Sequence, residues 1–299
     1  MQKKRSFKRE IPLHLMLLPG LVFVFVFSYI PMAGIVIGFQ KFVPALGILK
    51  SKWIGLDNFK YMINLPDTFQ VLWNTIFIAS MKIVTGLVIP ILLALLLNEV
   101  GKRWFKRTIQ TIVYLPYFLS WIILGGILRD ILSLDGIVNS VIAGLGTSPV
   151  FFLGDNRVFP YMLVITDLWK NLGFSTIIYL AAMTNINPTL YEASIVDGAN
   201  RLKQVWHITL PGMLPIIILM ATLSLGSILN AGFDQVFTLY SPLVYKSGDI
   251  IDTLVYRLGL VDAQYGLATA VGMFNSAVSF VLISLSYFLA YKFANYRIF

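Results

Sequence analysis

The chain has no cysteine and only two histidines, His14 and His207, in 299 residues. Disulfides and thiolate metal sites are thereby excluded, and two distant histidines leave little material for imidazole chemistry. Charge is scarce too: 12% of residues are Asp, Glu, Lys or Arg, against about 25% in an ordinary soluble domain. The phosphate-cradling loop G-x4-G-K-[ST] is missing, because the one Gly-Lys pair, Gly101-Lys102, runs on into Arg103. This chain does not bind ATP by that route.

What is present is apolar. Hydrophobic residues make up 58% of the sequence, and crossing a hydrocarbon core takes roughly 20 of them as a helix. Six stretches qualify, at about 13–39, 71–97, 109–129, 159–183, 213–236 and 267–291. The pattern predicts an all-α integral membrane protein, one polytopic domain over 1–299, with six spans. The first run follows Lys3-Lys4-Arg5, Lys8 and Arg9 like a signal peptide. It is too long for one and lacks a small-x-small cleavage site, so it reads as a retained span.

The net charge of +9 invites a nucleic-acid partner, but the basic residues sit at the ends of the apolar runs, where they set orientation. With both termini on one side, the N-terminus, Lys102, Arg103, Lys106, Arg107, Arg201, Lys203, Lys292 and Arg297 bring thirteen Lys and Arg to that side, against eight in the other loops. The positive-inside rule makes the richer side cytoplasmic. The outer loops, about 40–70, 130–158 and 237–266, are too short for a large external module. Small residues at helical spacing, Gly34 and Gly38 in the first span and Ala268, Gly272 and Ser276 in the last, permit close helix packing.

Between the fourth and fifth runs lies a loop, 184–212, that holds a polar island from Glu192 to Pro211. Asn187 before Pro188 is an N-cap followed by a proline at the first helical position, and Asp197-Gly198 ends that helix. Tyr191, Ser194 and Ile195 share a face, with Glu192 beside it. A second short helix carries Leu202, Val205 and Trp206 at i, i+3 and i+4 until Pro211 breaks it. Two helices meeting at Gly198 make an elbow, whose apolar face is too small to be stable without a partner's groove.

From Glu192 the island reads E-A-S-x3-G-x9-I-x-L-P. It resembles the EAA loop of permease subunits from ATP-binding-cassette importers, with Ser194 where the family usually has a second alanine. Trp53 to Phe59 (WIGLDNF) and Phe233 to Phe237 (FDQVF) are similar to segments of maltose-type carbohydrate permeases. Ser241 to Tyr245 and Gly248 to Thr253 look like the oligo- and polysaccharide branch. The resemblance implies a type I importer permease architecture with a cytoplasmic coupling helix. It also implies a second homologous permease, two ATPase subunits, an extracytoplasmic solute-binding protein and a sugar cargo. No cofactor is expected in this chain, ATP and magnesium belonging to the ATPase. On it, Glu192, Ala193, Ser194, Asp197, Gly198, Ile208, Leu210 and Pro211 form the coupling set.

A charge at the centre of a span costs about 2.5–3.5 kcal/mol on insertion scales and asks for a partner or water. Lys82, Asp167, Lys170 and Asp234 are such charges. Asp167 and Lys170, three apart on one helix, are placed to neutralise each other, while Lys82 either joins them or snorkels to an interface. With Trp169, Asn230, Gln235 and Asn275 they make a polar set suited to sugar hydroxyls. Two rival classes stay open. A secondary transporter would use the same charges as an ion relay, and an intramembrane hydrolase would pair Asp167 with Asp234 as a dyad.

Overall fold

The computed structural model describes residues 7–226 and 229–294. Lys3, Lys4, Arg5 and Arg297, assigned above to the basic side, lie outside them. The chain divides into two compact units, Met1–Asn64 with Val255–Met273 and Leu65–Leu254 with Phe274–Phe299.

In the first unit, α1 (Phe7–Val24) continues through a π turn (Phe25–Tyr29) and a 3-10 segment (Ile30–Phe39) to make one long apolar rod. A hairpin follows: β1 (Gln40–Lys41), α2 (Gly47–Lys50) and β2 (Lys52–Trp53), the strands pairing antiparallel with Gln40 opposite Trp53. Its WIGLDNF segment leads into α3 (Asp57–Asn64). Asn58 explains that motif: its side-chain amide donates to the Gly38 and Gln40 carbonyls at 2.9 and 3.0 Å, while Phe39 stacks on Trp53 at 5.6 Å. The motif is a clamp on the end of the rod.

The second unit opens with α4 (Thr68–Glu99), followed by α5 (Arg103–Tyr114), α6 (Trp121–Ile131), α7 (Ile137–Gly144) and α8 (Phe159–Thr184). Next come α9 (Pro188–Val196), α10 (Arg201–Gln204), a π turn (Val205–Thr209) and α11 (Leu210–Leu225). The short helices α12 (Phe233–Leu239) and α13 (Tyr245–Gly248) follow, and α14 (Ile251–Tyr256) and α15 (Tyr265–Ala294) are each shared between the units, their stretch within Val255–Met273 belonging to the first. Helices α4 and α8 form the most extensive packing pair. One apolar core, including Ile78, Leu124, Phe159, Leu163 and Val236, joins α4, α6, α8 and α12. Another, with Ala94, Tyr179, Met183 and Met213, joins α4, α8 and α11.

Four of the six expected spans coincide with single long apolar helices, and three of the six depart from expectation. Among the described residues four helices are long and apolar enough to cross a membrane: Ile11–Phe39, Thr68–Glu99, Arg201–Leu225 and Tyr265–Leu285. The third expected span is a broken pair, Arg103–Phe118 and Trp121–Ile131, bent by 110°. Pro116 supplies no backbone N–H, and Ser120 restarts the helix by accepting from the Ile123 amide at 3.3 Å. The fourth, α8, has 26 residues and so the length to cross, but Asp167, Lys170 and Asn171 in its first half make it less apolar than the others. The fifth starts earlier than expected, at Arg201, and stops at Leu225 instead of 236. Pro211 does not break it, because it sits in the first turn of α11 and the preceding π turn absorbs the missing hydrogen bond. Asp234 and Gln235 consequently belong to the separate helix α12.

Candidate functional site

The elbow forms where the island was read. The Asn187 side chain accepts from the Thr189 amide at 3.0 Å, with Pro188 next in line. At the other end Gly198 has φ +74°. Its N–H donates to the Ile195 carbonyl at 3.0 Å and that of Ala199 to the Ser194 carbonyl at 2.9 Å, the paired bonds of a Schellman cap. Asn200, which the sequence reading passed over, caps the second limb by accepting from the Lys203 amide at 2.9 Å.

The inner face of the elbow is tied by hydrogen bonds between its limbs. Tyr191 and Ser194 turn toward the second limb: the Tyr191 hydroxyl lies 2.9 Å from the Thr209 hydroxyl, and Gln204 donates to the Ser194 hydroxyl at 2.9 Å. Ser194 at the family's alanine position is thus a strut inside the elbow, and it and Tyr191 are only partly exposed. Ile195 lies on the side of Tyr191, as expected, and with it lines a cavity that Ala199 and Gln204 also border. Ile195 is 66% exposed and Val196 88%, and Glu192, Ala193, Asp197, Leu202 and Trp206 are exposed with them. Ile208 and Leu210 are half-buried and Pro211 is exposed. The two limbs are thus tied to each other by hydrogen bonds, and Ile195, Val196, Leu202 and Trp206 stay exposed beside Glu192 and Asp197.

Beyond the elbow the second unit holds a cavity of about 280 Å³ walled by α4, α8 and α11 and closed by the loop before α12. Asp167, Asn171 and Ser175 enter from α8, Lys82 and Gly86 from α4, Ser224 from α11, and Asn230 and Gly232 from the loop. Lys82 does not snorkel. Its side chain is 9% exposed and its ammonium lies 3.5 Å from the Asp167 carboxylate, itself 24% exposed. It also donates to the Ala231 carbonyl at 2.6 Å and to Gln235 Oε1. Gln235 is fully buried and donates in turn to the Leu163 carbonyl at 2.8 Å and the Thr166 hydroxyl at 2.7 Å. Every member of this network has a partner, which is what makes a charge at such depth tolerable.

Gly232 gives the network room. It holds φ +92°, and a Cβ there would meet Lys82 Nζ at 2.9 Å. The positive φ favours glycine there, and a Cβ would in addition push the end of the Lys82 side chain aside.

Asp167 and Lys170 do not neutralise each other as expected. Asp167 is taken by Lys82 and by Asn171, which donates to it at 3.2 Å. Lys170 reaches the break in the third span instead, donating to the carbonyls of Pro116 at 3.4 Å, Tyr117 at 3.1 Å and Leu119, with its ammonium 5.5 Å from the Trp121 ring centre. A bent helix leaves carbonyls short of amide partners, and a lysine from the neighbouring helix donates to those of Tyr117 and Leu119 and adds a second donor to that of Pro116, which also accepts from the Leu119 amide at 3.2 Å. Lys170→Met is therefore expected to destabilise the protein by about 1–3 kcal/mol, read as a lower unfolding temperature, with Lys170→Arg milder.

Of the other expected path residues, Asn230 lines the cavity. Trp169 does not: two residues on from Asp167 is about 200° round the helix, and it lines a separate apolar cavity with Leu128, Tyr161 and Ile165. Asp234 is exposed on α12 and is not part of the cavity lining, so it forms no dyad with the engaged Asp167. Asn275 is half-buried on α15, its Oδ1 buried without a hydrogen-bond partner, and is likewise not in the lining. Ser175 and Ser224 were missed. Asp167, Asn171 and Ser175 at i, i+4 and i+8 were the available signal.

Comparison with known proteins agrees with this geometry. A family model described as the binding-protein-dependent transport system inner membrane component matches residues 86–299. Protein LplB of Bacillus subtilis (strain 168) is 42% identical over 96% of this chain and 91% of its own. The polygalacturonan/rhamnogalacturonan transport system permease protein YteP of the same organism is 42% identical over 95% of this chain and 88% of its own. Among solved structures, a chain of a bacterial ABC transporter involved in the import of the acidic polysaccharide alginate superposes with TM-score 0.88 and 36% identity, covering 96% of this chain and 97% of that one. The same kind of transporter in complex with an alginate pentasaccharide-bound periplasmic protein gives TM-score 0.87 and 36% identity over 95% and 96%. This chain is therefore a member of the binding-protein-dependent transport system inner membrane components, the permease subunits of ABC importers.

Proposed function

We propose that this chain forms half of the translocation pathway for an oligo- or polysaccharide, moved by alternating access and driven by a separate ATPase. The observation that carries this reading is the cavity. Asn171, Ser175, Ser224 and Asn230 line it with amide and hydroxyl groups, while its one cation, Lys82, is already balanced by Asp167. Such a lining is suited to sugar hydroxyls. At about 280 Å³ it lies at the small end of ligand pockets, so a chain of sugars passes only when the walls part, as alternation between two states provides.

The elbow α9–α10 is the coupling element in this reading. Ile195, Val196, Leu202 and Trp206 enter a groove on the ATPase, Glu192 and Asp197 set the charge at its rim, and Ala193 allows close approach. The elbow and both termini face the cytoplasm. A second homologous permease completes the pathway, two ATPase subunits hold the ATP and magnesium, and a solute-binding protein delivers cargo from outside. The relatives' names, polygalacturonan/rhamnogalacturonan and arabinooligosaccharide permeases, support the substrate class.

Uptake by proteoliposomes carrying the whole complex, offered galacturonan, arabinan and maltose-type oligosaccharides, tests the proposal. ATP-dependent accumulation of one of them is expected. Uptake that stops on collapsing the ion gradient while ATP persists would identify an ion-coupled carrier instead. A second prediction concerns docking: Glu192→Lys reverses the charge beside the exposed apolar residues and is expected to reduce co-purified ATPase by about tenfold, since one unfavourable close charge contact costs on the order of 1–2 kcal/mol near a surface. Wild-type yield would remove Glu192 from the contact.

A further inference from the structure

The cavity has three helical walls, and the elbow is joined by chain to two of them. Helix α8 runs into α9 through residues 185–187, and the second limb continues as one helix, Arg201–Leu225, into α11. The third wall, α4, has no such link. Its charged contact with the elbow is a surface ion pair between Glu99 and Arg201, whose side chains are 42% and 79% exposed.

Both charges stand at the wrong end of their helices. Glu99 is the last residue of α4, where the helix dipole disfavours an anion, and Arg201 is the first residue of its helix, where a cation is disfavoured. Neither residue stabilises its own helix there, and each is compensated by the other. Between Glu99 and the cavity, α4 carries Pro90, which lacks the N–H that would bond the carbonyl of Gly86, and Gly86 lines the cavity. A proline opposite a glycine is where a helix bends most readily. Eight residues further up is Lys82, about 26 Å from Glu99 along the axis, bonded to Asp167 and to the loop at Ala231.

We infer that Glu99 and Arg201 are positioning residues that clasp α4 to the elbow, so that a stroke of the elbow swings the lower part of α4 about Gly86 and Pro90 and opens or closes the cavity. This rests on the elbow being the element the ATPase moves. The clasp makes all three walls follow one input. Helix α4 also packs on α8 and α11 through their shared apolar core, and the clasp adds a direct link from the elbow to its last turn.

The absence of cysteine makes the test clean on this chain. Ser175→Cys places one thiol in the cavity, in a complex purified with its partner permease and ATPase, and its labelling by a maleimide is timed with and without ATP and vanadate. With the clasp intact, ATP and vanadate are expected to change the rate about tenfold, as a shift between two states does. Glu99→Gln and Arg201→Gln should each reduce that change by about two- to fivefold, the worth of an exposed ion pair. The exchange Glu99→Arg with Arg201→Glu should restore it, because the swapped charges pair again and each then suits its helix end. A full response in either single variant overturns the clasp, and so does failure of the exchange to restore it while the ATPase still co-purifies. A separate arm isolates the underlying reading: if Glu192→Lys keeps both the ATPase and the response, the elbow is not the docking element, whatever the clasp variants do.

Discussion

Replacing Gly198 with proline is expected to abolish ATP-driven uptake while leaving the membrane helices folded. Gly198 sits at φ +74° and donates to the Ile195 carbonyl at 3.0 Å. Proline fixes φ near −65° and has no N–H to donate, so the cap of α9 and the angle of the elbow are lost together. Gly198→Ala makes a graded companion. No atom lies within 4 Å of where its Cβ would stand, so the cost is backbone strain alone, about 1–2 kcal/mol, or roughly a 5–30-fold loss in the weight of the elbow geometry. Uptake and ATPase measured on the same proteoliposomes should therefore fall out of step mildly for alanine and completely for proline. Stimulated ATPase with normal uptake in Gly198→Pro would refute the elbow as the transmitting element.

The second large effect belongs to Lys82. Lys82→Ala leaves Asp167 without its cation, and the Ala231 carbonyl and Gln235 without a donor, inside a cavity wall. Breaking a buried pair from one side costs about 3–5 kcal/mol, whereas replacing both partners by apolar residues of similar size is often neutral. Lys82→Ala is thus expected to lower the unfolding temperature of the purified complex strongly, and Lys82→Met with Asp167→Leu to recover most of the loss. If the pair also lines the pathway, the recovered double variant should still fail in uptake, because an apolar wall offers nothing to a hydroxyl. A double variant that is stable and transports normally would leave the pair a purely structural pin.

Much of the elbow was legible in the sequence because local rules write it. An N-cap before a proline, and a glycine where a helix must end left-handed, are decided by residues within one turn of each other, and Asn187, Pro188 and Gly198 stand as those rules require. The spans were legible for a related reason: a run of apolar residues long enough to cross has nowhere else to go. What failed was each inference that needed to know which helix lies beside which. Asp167 and Lys170 looked like a pair because they are three apart, yet each found its partner on another element, Lys82 on α4 and the carbonyls around Pro116. Pro211 looked like a stop because its neighbourhood was read as an isolated short helix, and a π turn carried the chain through it.

The sequence by itself determined that this chain lives in a membrane, cannot cradle ATP with a phosphate loop, and presents a capped helical elbow between its fourth and fifth spans. Composition, apolar run length and short-range backbone chemistry suffice for those. Only the tertiary structure decided which residues of the elbow stay exposed, where the third and fifth spans break, and that Lys82, Asp167 and Gln235 meet at one cavity. Those depend on contacts between residues as far apart as Lys82 and Gln235, and side-chain spacing along one helix carries no information about the helix packed against it.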